Sequence, residues 1–284
     1  MNLLRRVISA VFAGGAVFGL LYAAALYDLH WIAGLLILVV AYLAALEYIQ
    51  ILRRIDIHLA APEFLIWIPI LAFSFMLFNG VYADVVLLCA ISYQVLRYLG
   101  EQPHKEGFVR AIAGVFGLLY IPWLLHYLYV IFVSGVGPVA YVGAVQAFIV
   151  LLMVWGYDTG AFLVGSLIGR HKAFPSISPN KTWEGVAGGF VFAVIGALLG
   201  AAIAREWREF AFGSGFPHIL ASSFLVGWAS QLGDVFASKL KRAAGVKDSG
   251  SFLPGHGGVL DRIDGLLFAL PVFYFYYHFI ARFI

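Results

Sequence analysis

Charge is the scarcest property of this 284-residue chain. Asp, Glu, Lys and Arg make up 12% of it, whereas 63% is hydrophobic. A soluble domain is roughly half apolar, so a chain with a mean hydropathy of +0.94 cannot hide its apolar surface from water. Lipid is the solvent for most of it. Cysteine is nearly missing as well. Cys89 stands alone, which excludes an intramolecular disulfide and a Cys-based metal cluster. Inside its apolar run it reads as a small buried filler. Low-complexity linkers are lacking, and the only internal echo is the short pair Gly156-Tyr-Asp158 and Leu232-Gly-Asp234. One membrane domain over 1–284 is therefore expected, with 1–135 as N-terminal helices and 140–284 as a catalytic half.

In lipid every backbone N–H and C=O must be paired within the chain, which leaves helices or a closed barrel. The apolar runs are about 20 residues long and do not alternate, so helices are expected. The fold class is all-α, a polytopic integral membrane protein. About nine transmembrane helices are expected, roughly at 7–27, 31–51, 63–79, 81–98, 111–133, 140–168, 185–204, 218–237 and 263–283. The sixth is long enough to tilt or break near Gly156. The run after Met1-Asn-Leu-Leu-Arg-Arg6 is too long for a typical signal core and many spans follow it, so a retained first helix is expected.

Nine spans put the termini on opposite sides. That arrangement leaves Arg205, Arg208 and Arg282 on one side and the other 15 of the 18 cations on the opposite one. Positive residues collect in cytoplasmic loops. The expected N-terminus is cytoplasmic and the C-terminus outside.

Against this apolar background, Ser238 to Asp264 gathers five cations, three carboxylates, a histidine and a Gly-rich turn between two apolar segments. Upstream, Asp234 falls near the cytoplasmic end of the eighth span. Charges inside spans are expensive and suggest function. Asp234, Ser238, Lys241 and Arg242 follow at i, i+4, i+7 and i+8, on one helix face. That face can hold a metal at its deeper end and phosphate oxygens further out. Lys239, Lys241 and Arg242 have a simpler reading, as basic flanks that fix orientation. Lys247-Asp248 and the turn Leu253-Pro-Gly-His256-Gly257-Gly258 follow. Glycines let backbone N–H groups approach an anion, and a helix starting near Val259 favours anions at its N-terminus. A flexible loop explains the glycines but not His256 among them beside Asp261.

Asp261 and Asp264 are spaced i, i+3 on the first turn of the last span, with Arg262 turned away. Either carboxylate alone could complement the helix dipole. Both together with Asp234, at one membrane depth, would repel without a cation between them. Oxygen-only ligands suit Mg²⁺, which takes few carboxylates plus phosphate and water. In the loop before the seventh span, Ser178, Lys181 and Thr182 offer a phosphate or nucleotide contact. An equal alternative is a capping arrangement with Thr182 as N-cap and Trp183 at the interface. Asp158 is a weaker candidate near the metal. Glu47, in the second span, either pairs with a neighbouring helix or sits at the cytoplasmic edge beside Arg53 and Arg54.

The pattern Ser238-x-x-Lys241-Arg242, Lys247-Asp248, His256-Gly257-Gly258 and Asp261-Arg262-x-Asp264 resembles the signature of the CDP-diacylglycerol synthases (phosphatidate cytidylyltransferases) without a gap. Asp158-Thr-Gly-Ala-Phe162, Ser178-Pro-Asn-Lys-Thr-Trp-Glu-Gly185 and Gln231-Leu-Gly-Asp234 are also similar to that family. Asn180 departs from it, where Lys is common. The resemblance covers about 150 to 275. It implies the conversion of phosphatidic acid and CTP to CDP-diacylglycerol and pyrophosphate in phospholipid biosynthesis. It implies Mg²⁺ on Asp234, Asp261 and Asp264, and a second cation beside it, K⁺ being one candidate. Lys241, Arg242, Lys247 and Arg262 would neutralise phosphate. His256 and the glycines would hold pyrophosphate. Ser178, Lys181, Thr182, Ser238 and Asp248 complete the expected substrate contacts. A bacterial cytoplasmic (inner) membrane is the implied location. A homodimer is compatible with the resemblance, and no nucleic-acid partner is expected.

Three rivals fit less well. A transporter should carry its charges near midplane with inverted repeats. A CDP-alcohol phosphatidyltransferase needs an Asp-Gly-x-x-Ala-Arg run, whereas Asp264-Gly265 is followed by Leu-Leu-Phe-Ala269. A CTP-dependent lipid kinase would release CDP rather than pyrophosphate.

Overall fold

The structure is a computed structural model that describes residues 15–17, 19–27, 29–77, 82–133, 141–203, 216–250 and 257–281. Its helices are α1 (Gly15–Leu26), then α2 (His30–Arg53), α3 (Ala61–Met76), α4 (Ala83–Leu99), α5 (His104–Leu118) and α6 (Leu124–Val133). They continue as α7 (Tyr141–Ile168), α8 (Trp183–Ile203), α9 (Phe216–Ala243) and α10 (Leu260–Phe275). A π-helical turn over Leu119–Trp123 joins α5 to α6, where Pro122 has no N–H for a regular helical bond.

Six of the expected spans are helices long and apolar enough to cross a membrane: His30–Arg53, His104–Val133, Val142–Ile168, Trp183–Ala202, Phe216–Ala243 and Leu260–Ile280. The other three fall short for different reasons. The expected span at 7–27 lies partly outside the described residues. Helix α3 has 16 residues and α4 has 17. At 1.5 Å per residue they reach about 24–26 Å, less than the ~30 Å hydrocarbon core. Large apolar side chains such as Leu88, Leu96 and Leu167 point outward, which suits lipid and not water. Cys89 is exposed on α4 and is not the buried filler expected of it; on a lipid-facing helix an apolar run has no need to bury its small residues.

The chain divides into two compact units. The first takes Met1–Leu20, Leu29–Val130 and Leu240–Arg262; the second takes Leu21–Asp28, Ile131–Lys239 and Ile263–Ile284. In the first, Tyr48, Phe64, Ile68 and Leu71 are buried, and the Tyr48 hydroxyl donates to the Ala113 carbonyl at 2.9 Å. In the second, α7 and α8 pack closely. A Cβ on Gly156 would lie 2.6 Å from the Phe192 carbonyl oxygen. Helix α7 runs unbroken through Gly156. Its glycine therefore permits close helix contact, as small residues do in membranes, and makes no break.

The loop before α8 adds an element absent from an all-helical expectation. Strands β1 (Lys172–Phe174) and β2 (Ser178–Thr182) form an antiparallel hairpin. Lys172 pairs with Thr182 and Phe174 with Ser178, so β2 carries extra residues between the two pairs. Such a bulge re-aims side chains, and Pro179 could not donate a ladder bond there.

Candidate functional site

In the second unit the bulge delivers Lys181. Its ammonium donates to Asp234 Oδ2 on α9, while Ser238, one turn on, donates to Asp234 Oδ1 at 3.2 Å. Both partners are partly exposed, with side-chain exposures of 22% for Lys181 and 31% for Asp234. Thr182 is buried and its hydroxyl accepts the Gly185 N–H at 3.2 Å, capping α8. Glu184 accepts the backbone N–H groups of Arg170 and His171 at 3.1 and 3.2 Å, closing the base of the hairpin. Helices α9 and α10 approach closely beside Asp234. A Cβ on Gly233 would strike the Asp264 carbonyl oxygen, and one on Gly265 would lie 2.5 Å from Ser230 Oγ. Asp264 is buried, and its Oδ1 accepts the Gly265 N–H at 2.8 Å.

In the first unit Lys241, near the end of α9, donates to Asp261 Oδ1 at 2.6 Å. The pair is buried, with side-chain exposures of 11% and 9%. Asp261 Oδ2 accepts the N–H groups of Ser249 and Gly258 at 2.8 and 2.9 Å. Buried charges persist only when paired and hydrogen-bonded, and this one has three donors. Gly257 has φ +81°, and a Cβ there would lie 2.9 Å from Asp261 Oδ2. Glycine is thus required twice over, by backbone conformation and by the approach of the carboxylate.

These arrangements are oxygen-rich, and cations lie among the acids. Among the described residues, no group of three or more His, Cys, Asp or Glu side chains could hold a metal ion by itself. A carboxylate has about four acceptor positions, so the donors on Asp234 and Asp261 leave some open. The residues fit Mg²⁺ in the usual manner of that ion, with one or two carboxylates completed by substrate phosphate and water. They do not fit a cage of protein ligands alone.

The cytidylyltransferase family pattern matches residues 4–280. This chain belongs to that family. A phosphatidate cytidylyltransferase of Bacillus subtilis (strain 168) is 34% identical over 217 residues, covering 74% of this chain and 75% of its own length. One of Staphylococcus epidermidis (strain ATCC 12228 / FDA PCI 1200) is 30% identical over 244 residues, covering 84% and 88%.

Within this cytidylyltransferase-family chain the expected site residues sort by unit. Lys241, Arg242, Lys247, Asp248, Gly257, Gly258, Asp261 and Arg262 belong to the first; Ser178, Lys181, Thr182, Asp234, Ser238 and Asp264 belong to the second. Arg242, Lys247, Asp248 and Arg262 are exposed. Arg242 Nη1 donates to the Val246 carbonyl at 3.0 Å. Asp158 is exposed on α7. His256 lies outside the described residues. Thr182 takes the capping reading of the two open to it. Lys181 meets a carboxylate directly, a contact its position in a loop did not announce. Ser249 was missed; a serine in a Gly/Ser-rich turn carries no signal of its own. Glu47 carried one, a charge inside an apolar span, without a partner to go with it. Its partners are a serine hydroxyl and backbone N–H groups of the Ser249–Leu260 region.

Proposed function

We propose that this protein transfers the cytidylyl group of CTP to phosphatidic acid, giving CDP-diacylglycerol and pyrophosphate for phospholipid biosynthesis. The observation that carries the reading is the family match over residues 4–280, with the signature that begins at Ser238 and ends at Asp264 starting on one helix and closing on the next. A phosphate oxygen of phosphatidate attacks the α-phosphorus of CTP. A new P–O–P linkage forms as the bond from the α-phosphorus to the bridging oxygen breaks, and the electron pair leaves on pyrophosphate. The nucleophile is already anionic, so little proton transfer is needed. The work is positioning of polyanions and stabilisation of charge on the leaving group.

Lys241, Arg242, Lys247 and Arg262 neutralise phosphate oxygens in this reading. Ser178, Lys181 and Ser238 hold substrate phosphate. Lys181 would then exchange its carboxylate partner for a phosphate, which its partial exposure permits. Asp234, Asp261 and Asp264 are the carboxylates we assign to metal ions, Mg²⁺ first, with one or two of them to each ion. When bound, the ion supplies charge neutralisation on transferring phosphates. K⁺ is the candidate for a second cation. Gly257, Gly258 and His256 cradle pyrophosphate.

The reading extends to topology. Nine crossings with a cytoplasmic N-terminus would put the site on the CTP side of a bacterial inner membrane, with α3 and α4 crossing at a locally thinned bilayer. A homodimer is the assembly to look for by mass in detergent. The deciding experiment incubates purified protein with phosphatidate, labelled CTP and Mg²⁺. Label in the extracted lipid with pyrophosphate released is expected. An unlabelled lipid phase sinks the reading, and CDP release would make the protein a kinase.

A further inference from the structure

Glu47 sits in α2, far from the signature in sequence, and is only 6% exposed. A carboxylate inside an apolar helix is costly unless satisfied. Here both oxygens are engaged. Oε1 accepts the Val259 N–H at 2.9 Å. Oε2 accepts the Leu260 N–H and the Ser249 hydroxyl, both at 2.8 Å. Val259 and Leu260 open α10, so the carboxylate takes N–H groups that the helix cannot pair itself, at the end where its dipole favours an anion.

Ser249 is held twice, its hydroxyl by Glu47 and its N–H by Asp261. Room for this clamp comes from two glycines. A Cβ on Gly250 would meet Glu47 Oε1, and one on Gly258 would meet Glu47 Oε2 and Ser249 Oγ. Gly258 thus has a reason beyond approach to an anion: a side chain there would collide with a carboxylate from α2. Asp261, whose other oxygen holds Lys241, follows Leu260 directly. Any shift of the helix start moves it.

We propose that Glu47 is a positioning residue for the transferase reaction. Its carboxylate pins Ser249 and the start of α10, and thereby sets Asp261 and Lys241. The N-terminal half would then contribute to the site geometry, not only to the membrane anchor. The inference rests on the reading that places Asp261 in the active site.

The test is Glu47→Gln, which keeps the size but puts a donor where three donors converge. Two readouts are taken on purified protein. Hydrogen exchange of peptides from Gly257 through Asp264 should accelerate, with peptides of α8 unchanged. The Mg²⁺ concentration for half-maximal turnover should rise by about 10- to 100-fold, as when a partner that orients a ligand is lost. Loss of folded protein alone would not move that midpoint. Ser249→Ala removes one donor and should move both readouts the same way by less; it carries the test if Glu47→Gln does not fold. Glu63→Gln, which loses a surface partner of Arg97, should move neither. Unchanged exchange overturns the inference, and so does faster exchange with an unchanged Mg²⁺ midpoint. A wild-type protein that makes no CDP-diacylglycerol overturns the functional reading instead, whatever the exchange shows.

Discussion

The two units hold their carboxylates in different ways. In the first, Lys241 and Asp261 are nearly buried and Asp261 has three donors. In the second, Lys181 is twice as exposed as Lys241, and Asp234 more than three times as exposed as Asp261. A buried pair is rigid, and removing one partner leaves an uncompensated charge at a cost of about 3–5 kcal/mol. A partly exposed pair is worth about 0–1 kcal/mol and can be exchanged for another ligand. The same Lys–Asp chemistry is therefore a frame in one unit and a replaceable contact in the other. The comparison teaches that burial, not residue type, separates a pair held in place from one able to exchange its partner.

The sharpest way to break this contrast is Asp261→Asn. We expect turnover to fall by about 10²–10³, and stability to drop by about 3–5 kcal/mol from the stranded Lys241, read as a lower melting temperature in detergent. Near-normal turnover at saturating Mg²⁺ would remove Asp261 from the metal site. Asp234→Asn should cost turnover on the order of 10² but only about 1 kcal/mol of stability. A melting shift as large as that of Asp261→Asn would erase the distinction between the units.

Smaller effects refine it. Lys181→Ala should raise the KM for one substrate about tenfold, the worth of one hydrogen bond from a charged donor; kinetics with CTP and phosphatidate varied separately identify which. Arg262→Ala, at an exposed position, should raise substrate requirement by a few fold; unchanged KM and kcat would leave it a purely topological residue. Thr182→Val should remove the α8 cap at about 1 kcal/mol, visible as a small melting shift with turnover retained.

Much of the site was legible because chemistry is rare in this chain. Asp234, Lys241 and Asp261 are conspicuous against apolar spans, and helical spacing alone put Asp234 and Ser238 on one face, where their side chains do meet. Lys181 was legible as a cation but not as the partner of Asp234. That contact depends on a bulged hairpin, and a strand this short shows no usable periodicity. The span count was harder. Helix α3 is as apolar in character as α2 whereas α4 is less so, and whether 16 or 17 residues cross a membrane depends on local bilayer thickness as well as on composition. Cys89 misled because burial inside lipid-solvated helices does not track hydrophobicity.

From the residue order alone came the solvent, the helical class, the family resemblance and the set of charged groups. Each follows from local quantities: hydropathy over a span, spacing along one helix, and a gapless motif. Pairing came from folding. Which lysine meets which carboxylate, why Gly258 must lack a side chain, and what Glu47 is for all depend on contacts between residues far apart in the chain. No one-dimensional pattern encodes such contacts, because a hydrogen bond is settled by direction and distance in space.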